Sequence, residues 1–149
     1  MDAMTILRRC RESGEELSEL DERIRQRRDA VTTISVSLDR DGGAGGSGTP
    51  SDRIAAAAAA VADLEKQAER RRERQAVEIM AVNVLADRLP GVQGRIIYLY
   101  YAKALTVRAV AKRVKYTEGY VRKLRREAEN QLREVPGEEV DELLPPWYS

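Results

Sequence analysis

Histidine is absent from the chain, and so is phenylalanine. Without imidazole, the side chain that most often moves protons near neutral pH and most often ligates transition metals is missing. Cysteine occurs once, at Cys10. A single thiol excludes an intrachain disulfide and a thiolate zinc cage, and the expected compartment is the reducing cytoplasm. No apolar run reaches the roughly 18–20 residues of a membrane span, so no membrane partner is expected. The opening MDAMTILRRCRESGEE carries acidic residues and no apolar h-region, which argues against a secretory signal. No metal, cofactor or enzymatic activity is expected.

What the 149 residues do contain is charge and alanine. Hydrophobic residues make up 42%, and 19 of them are Ala, a composition that favours helices over a thick globular core. Charged residues make up 34% and almost cancel to a net +1. The cancellation hides three blocks: −2 over residues 1–94, +8 over 95–133, and −5 over 134–149. An anionic partner would bind the middle block.

The expected fold class is all-α. Residues 1–38 form an N-terminal element whose helix covers about 1–31. Cys10, Leu17, Ile24 and Val31 repeat every seven residues, with Ile6, Ser13 and Leu20 interleaved, an a/d seam for a partner helix. Thr32–Leu38 is β-branched and alternating. Residues 39–51 hold Gly42, Gly43, Gly45, Gly46 and Gly48 and read as a flexible linker. A phosphate-cradling loop would need Gly-Lys-Ser/Thr opening a helix, and no lysine is there. A long helix then spans 52–89 and stops at Pro90-Gly91. Ile54, Val61 and Ala68, with Ala57 and Leu64, continue the seam; the run Arg70–Arg74 is a solvated stretch. The two helices are expected to pair as an antiparallel coiled-coil hairpin or as the stalk of a homodimer.

Residues 90–133 read as a compact helix-turn-helix domain. Thr106 is placed to cap Val107–Val114, whose Val107, Val110, Ala111 and Val114 fall on one face. Thr117 is placed to cap a basic helix over 118–132. At ~100° per residue, Val121, Leu124, Ala128 and Leu132 share one sector, and Gly119, Arg122, Lys123 and Arg126 point the other way. A recognition helix needs this division: an apolar stripe docked behind, and cations facing the major groove of double-stranded DNA. Glu118, Tyr120, Arg122 and Lys123, nearest the helix start, are the base-readout candidates. Arg125 and Arg126, with Lys112, Arg113 and Lys115, are candidates for the phosphate backbone. Gly119 lets the main chain approach DNA closely.

The string Leu105-Thr-Val-Arg-Ala-Val-Ala-Lys-Arg-Val-Lys-Tyr-Thr-Glu-Gly-Tyr-Val-Arg-Lys-Leu-Arg-Arg-Glu-Ala128 resembles region 4 of sigma-70-type factors. The chain as a whole resembles the sigma-region-4-like phage and prophage activators of the ArpU and RinA types, through its N-terminal helix, Gly-rich break, Val61–Glu65 stretch and Leu89-Pro90. The resemblance implies transcriptional control of phage or prophage genes, promoter recognition and host RNA polymerase as a partner. It places DNA contacts on Thr117, Glu118, Gly119, Arg122 and Lys123. Two positions depart from the family pattern: Ala104 stands where a glycine is usual, and Gly119 where a longer polar residue is common. Sigma regions 2 and 3 have no counterpart, so stand-alone promoter melting is not expected.

The acidic tail 134–149 leaves the helix at Pro136. Disorder is one expectation for it; docking through Val140, Leu143, Leu144 and Trp147 on another protein or on the basic helix is the other. The rival to a DNA-binding regulator is a structural or assembly protein, such as a phage DNA-packaging subunit, that works through its coiled coil.

Overall fold

A computed structural model describes the backbone of residues 1–41 and 50–148, and the side chains of 1–36 and 51–148. All regular structure among the described residues is helical. Helix α1 covers Ala3–Asp41 and α2 covers Pro50–Asp87; α3 is Gln93–Ile97, α4 Val107–Val114, α5 Glu118–Arg133 and α6 Gly137–Glu142. Helix α3 passes directly into a π-helical turn, Tyr98–Ala102.

Two boundaries differ from the sequence reading. The β-branched stretch 32–38 is helical, because α1 continues through it to Asp41. Strand propensity is a packing preference with no sheet here to satisfy it, and Thr32 and Thr33 instead donate their hydroxyls to the carbonyls of Arg28 and Asp29 one turn back. Helix α2 begins at Pro50, a residue that fits the first helical position because its missing N–H would have no partner there. Both ends of the expected 39–51 linker are therefore helical, and its remainder, 42–49, lies outside the described residues.

The chain divides into two compact units: Met1–Glu16 with Arg72–Ser149, and Leu17–Arg71. In the second, Leu17, Ile24, Val61, Leu64 and Ala68 bury one another, with Leu20 and Val31 packed alongside. Arg28 and Glu65 form an ion pair across the same two helices. These seam residues are buried within one chain, so their burial requires no second copy. Ile54 is half-buried and outside that layer.

In the first unit, Cys10 departs from the seam reading. It is fully buried in a core with Ala3, Met4, Ile6, Leu7, Val82, Leu85, Ile97, Ala128, Leu132 and Val140. The heptad register continues through Cys10, but the partners change from one helix to several. A smaller cluster unites Ile96, Leu99, Val110, Ala111, Val121 and Leu124. The π-helical turn serves both layers: Leu99 faces the smaller cluster, and Tyr101 and Ala102 face the larger. Widening to the i→i+5 bond from Lys103 N–H to the Tyr98 carbonyl supplies the extra rotation.

The acidic tail is ordered. Pro136 precedes α6, Val140 is buried, and Tyr148 enters the core while Trp147 stays exposed. Tyr148 donates its hydroxyl to Glu78 Oε2 at 2.7 Å, and Ser13 donates to Glu78 Oε1 at 2.6 Å. A fully buried carboxylate is thus satisfied by two hydroxyls. Of the docking residues expected in the tail, Trp147 alone is exposed; Leu143 and Leu144 are half-buried against the chain's own core. The apolar spacing Val140-Leu143-Leu144 was legible, but whether it covered its own chain or another was not.

Candidate nucleic-acid interface

Thr106 and Thr117 have extended backbones, and each hydroxyl oxygen accepts a main-chain N–H: Ala109 for Thr106 and Tyr120 for Thr117, both at 3.2 Å. Each cap satisfies one of the donors that a helix start leaves unpaired. Between the helices, Lys115 adopts a left-handed conformation (φ 61°), and Tyr116 N–H closes onto the Ala111 carbonyl at 3.2 Å. Beyond this three-residue connection, α5 packs on α4 through Val110, Ala111, Val121 and Leu124. The stripe Val121, Leu124, Ala128 and Leu132 is buried behind α5.

Arg122, Lys123 and Arg126 are exposed on α5, as are Lys112, Arg113 and Lys115 beside its start. Gly119 faces open space, with no atom within 4 Å of a Cβ placed there. Thr117 is exposed and Glu118 half-exposed.

Helix α5 carries three carboxylates of its own, each with a partner. Glu118 lies 3.5 Å from Arg122, one turn away. Glu127 accepts a bond from Gln93 at 3.4 Å. Glu129 accepts the Tyr101 hydroxyl at 2.5 Å and lies 3.4 Å from Arg125. Burial and that contact with the carboxylate hold the Tyr101 phenol well above the ordinary tyrosine range. Lys112, Arg113, Lys115, Lys123 and Arg126 form no ion pair among the described residues. Comparisons of the chain with protein-family models, curated proteins and solved structures return no match.

Arg125 is the residue that the structure moves away from the expected surface. Its guanidinium carbon lies 4.3 Å from the Tyr100 ring centroid, and its Nε is buried beside Glu129 without a well-aligned hydrogen bond. The reason is angular: at ~100° per residue, Arg125 falls at the edge of the buried stripe, next to Val121 and Leu132. Tyr120, on the opposite edge, remains 43% exposed. Tyr116 is a surface residue that the spacing of charges did not single out. It is 45% exposed and pairs edge-to-face with Tyr120, centroids 5.1 Å apart. The available signal was the four-residue spacing of the two tyrosines across the Thr117 cap.

No group of acidic or cysteine side chains that could hold a metal occurs among the described residues. Among those residues, no helix is long and apolar enough to cross a membrane.

Proposed function

We propose that the chain is a non-enzymatic, sequence-specific binder of double-stranded DNA, with α4 and α5 acting as a helix-turn-helix and α5 entering the major groove. The observation that carries this reading is the set of five exposed cations without ion pairs at the start and along the outer face of α5. Phosphates attract such a surface at long range and release counterions on contact. Lys112, Arg113, Lys115 and Arg126 serve the backbone. Arg122, whose fork matches guanine O6/N7, and Lys123 serve the base edges. Glu118 then has two roles, pairing with Arg122 in the free protein and accepting from a base amino group when bound.

The resemblance of Leu105–Ala128 to sigma region 4 extends the reading to transcriptional control of phage or prophage genes beside a host RNA polymerase. The hairpin of α1 and α2 supplies a protein contact in this scheme, and a homodimer would set half-sites roughly 34 Å apart or a multiple of it.

Selection of bound duplexes from random DNA by the full chain tests the proposal. The expected result is an enriched motif, with Arg122→Ala relaxing the preference at one base pair and costing about 1–3 kcal/mol there. Recovery of unenriched sequence, or equal weakening on every sequence, would contradict base readout by Arg122.

A further inference from the structure

Six large apolar or aromatic side chains are prominently exposed among the described residues, and two of them, Tyr116 and Tyr120, adjoin the most basic surface of the molecule. They make an edge-to-face pair, interplanar angle 73°, bracketing the Thr117 cap. Neither hydroxyl has a hydrogen-bond partner among the described residues. Gly119, one residue before Tyr120, adds no side chain, and a Cβ placed there meets no atom within 4 Å beyond its own neighbours. Lys115 and Lys123 flank the pair. Around the axis of α5, Tyr120 borders the outward face on the edge opposite Arg125, near Lys123.

From this arrangement we infer that the Tyr116–Tyr120 pair is a contact site for the 5-methyl group of thymine in the major groove. The inference rests on the DNA-binding reading above and deepens it. Cations alone recognise phosphate or hydrogen-bonding base edges; the one apolar feature that a base pair presents in the major groove is the thymine methyl. Two rings that hold each other in place offer an apolar surface with little rotamer freedom left to lose on binding. Their unpartnered hydroxyls are free to donate to phosphate or to water at the groove margin. Gly119, one residue before Tyr120, brings no side chain of its own to compete for the methyl group.

The test uses the full chain and a duplex selected from random DNA. Each thymine in turn is replaced by deoxyuridine, which removes a methyl and nothing else, and affinity is measured at fixed salt. At one or two positions the loss is expected to be about four-fold, the effect of burying one methyl group. In Tyr116→Ala and Tyr120→Ala, surface substitutions with circular dichroism as the folding control, the thymine-to-deoxyuridine ratio is expected to fall towards one while duplex binding persists. A 5-methylcytosine duplex at the same position separates the two natural sources of a pyrimidine 5-methyl. Binding above cytosine but below thymine supports the inference; binding above thymine overturns it. Equal affinity for thymine and deoxyuridine throughout, an unchanged ratio in both variants, or tighter binding to the single strand than to the duplex would each overturn it too. In those three cases duplex binding itself can survive, so the methyl contact fails alone. Absence of any nucleic-acid binding overturns both readings together.

Discussion

Arg11 and Tyr100 are joined twice. The Arg11 guanidinium lies over the tyrosine ring, 4.0 Å from its centroid, and its Nη1 donates to the Tyr100 carbonyl and, at 2.9 Å, to the Leu105 carbonyl. Arg125 occupies another position near the same ring. The π-helical turn ends here, so carbonyls that lack an intrahelical partner are collected by one charged donor from α1. Arg11→Ala is expected to lower the unfolding free energy by about 2–3 kcal/mol in urea, since charged hydrogen bonds and a ring contact go together. A loss below about 0.5 kcal/mol, the ordinary effect of a surface substitution, would contradict this role.

Ala104, two residues past that turn, has φ 53°, a left-handed conformation in which a Cβ crowds the following carbonyl. Ala104→Gly is expected to raise stability by about 0.5–1 kcal/mol, the relief exceeding the extra entropy of an unfolded glycine. A fall in melting temperature would show that the methyl group is needed against Gly14, whose own Cβ would lie 3.3 Å from that of Ala104.

Two glycines should respond oppositely to alanine. A Cβ at Gly94 would stand 2.5 Å from the Ala86 carbonyl oxygen, so α3 approaches α2 by main chain alone. Gly94→Ala is expected to cost about 1–3 kcal/mol. Gly119→Ala meets open space within a helix and is expected to stabilise by up to about 1 kcal/mol. Thermal melts of the two variants check both signs.

Burial pushes the Cys10 thiol up from 9.0 to about 12, with the nearby Glu78 carboxylate acting in the same direction. The folded chain therefore holds this proton more tightly than the unfolded chain. Stability from this group is complete below pH 9 and declines as pH rises towards about 12. The full effect is on the order of 4 kcal/mol. Cys10→Ala is expected to remove most of the pH dependence between 9 and 10, leaving the loss above 10 that comes with the raised Tyr101 and Tyr148 phenols. An unchanged slope would contradict the assignment. Native Cys10 is also expected to resist thiol reagents until the protein unfolds.

The helices nearest the candidate site were the most legible part of the chain. Thr106 and Thr117 announce themselves as caps, and Val121, Leu124, Ala128 and Leu132 reveal their burial by spacing, because both signals are local. What was hidden depends on distant partners. Nothing near Arg125 says that Tyr100 waits for it, and nothing near Cys10 distinguishes a helical seam from a core fed by five helices. Tyr148 enters that core because Glu78, 70 residues away, needs a donor. The register of charges located the basic surface but passed over Tyr116, since an exposed aromatic carries meaning only beside its neighbour.

The most direct measurement is the salt dependence of duplex affinity for the full chain and for a Lys112→Ala/Arg126→Ala double variant. If Lys112, Arg113, Lys115 and Arg126 meet phosphates, log affinity falls against log salt with a slope of about −3.6, and the double variant flattens it by about 1.8. No duplex binding at low salt, or a slope identical in the two proteins, would contradict the placement of DNA on this face.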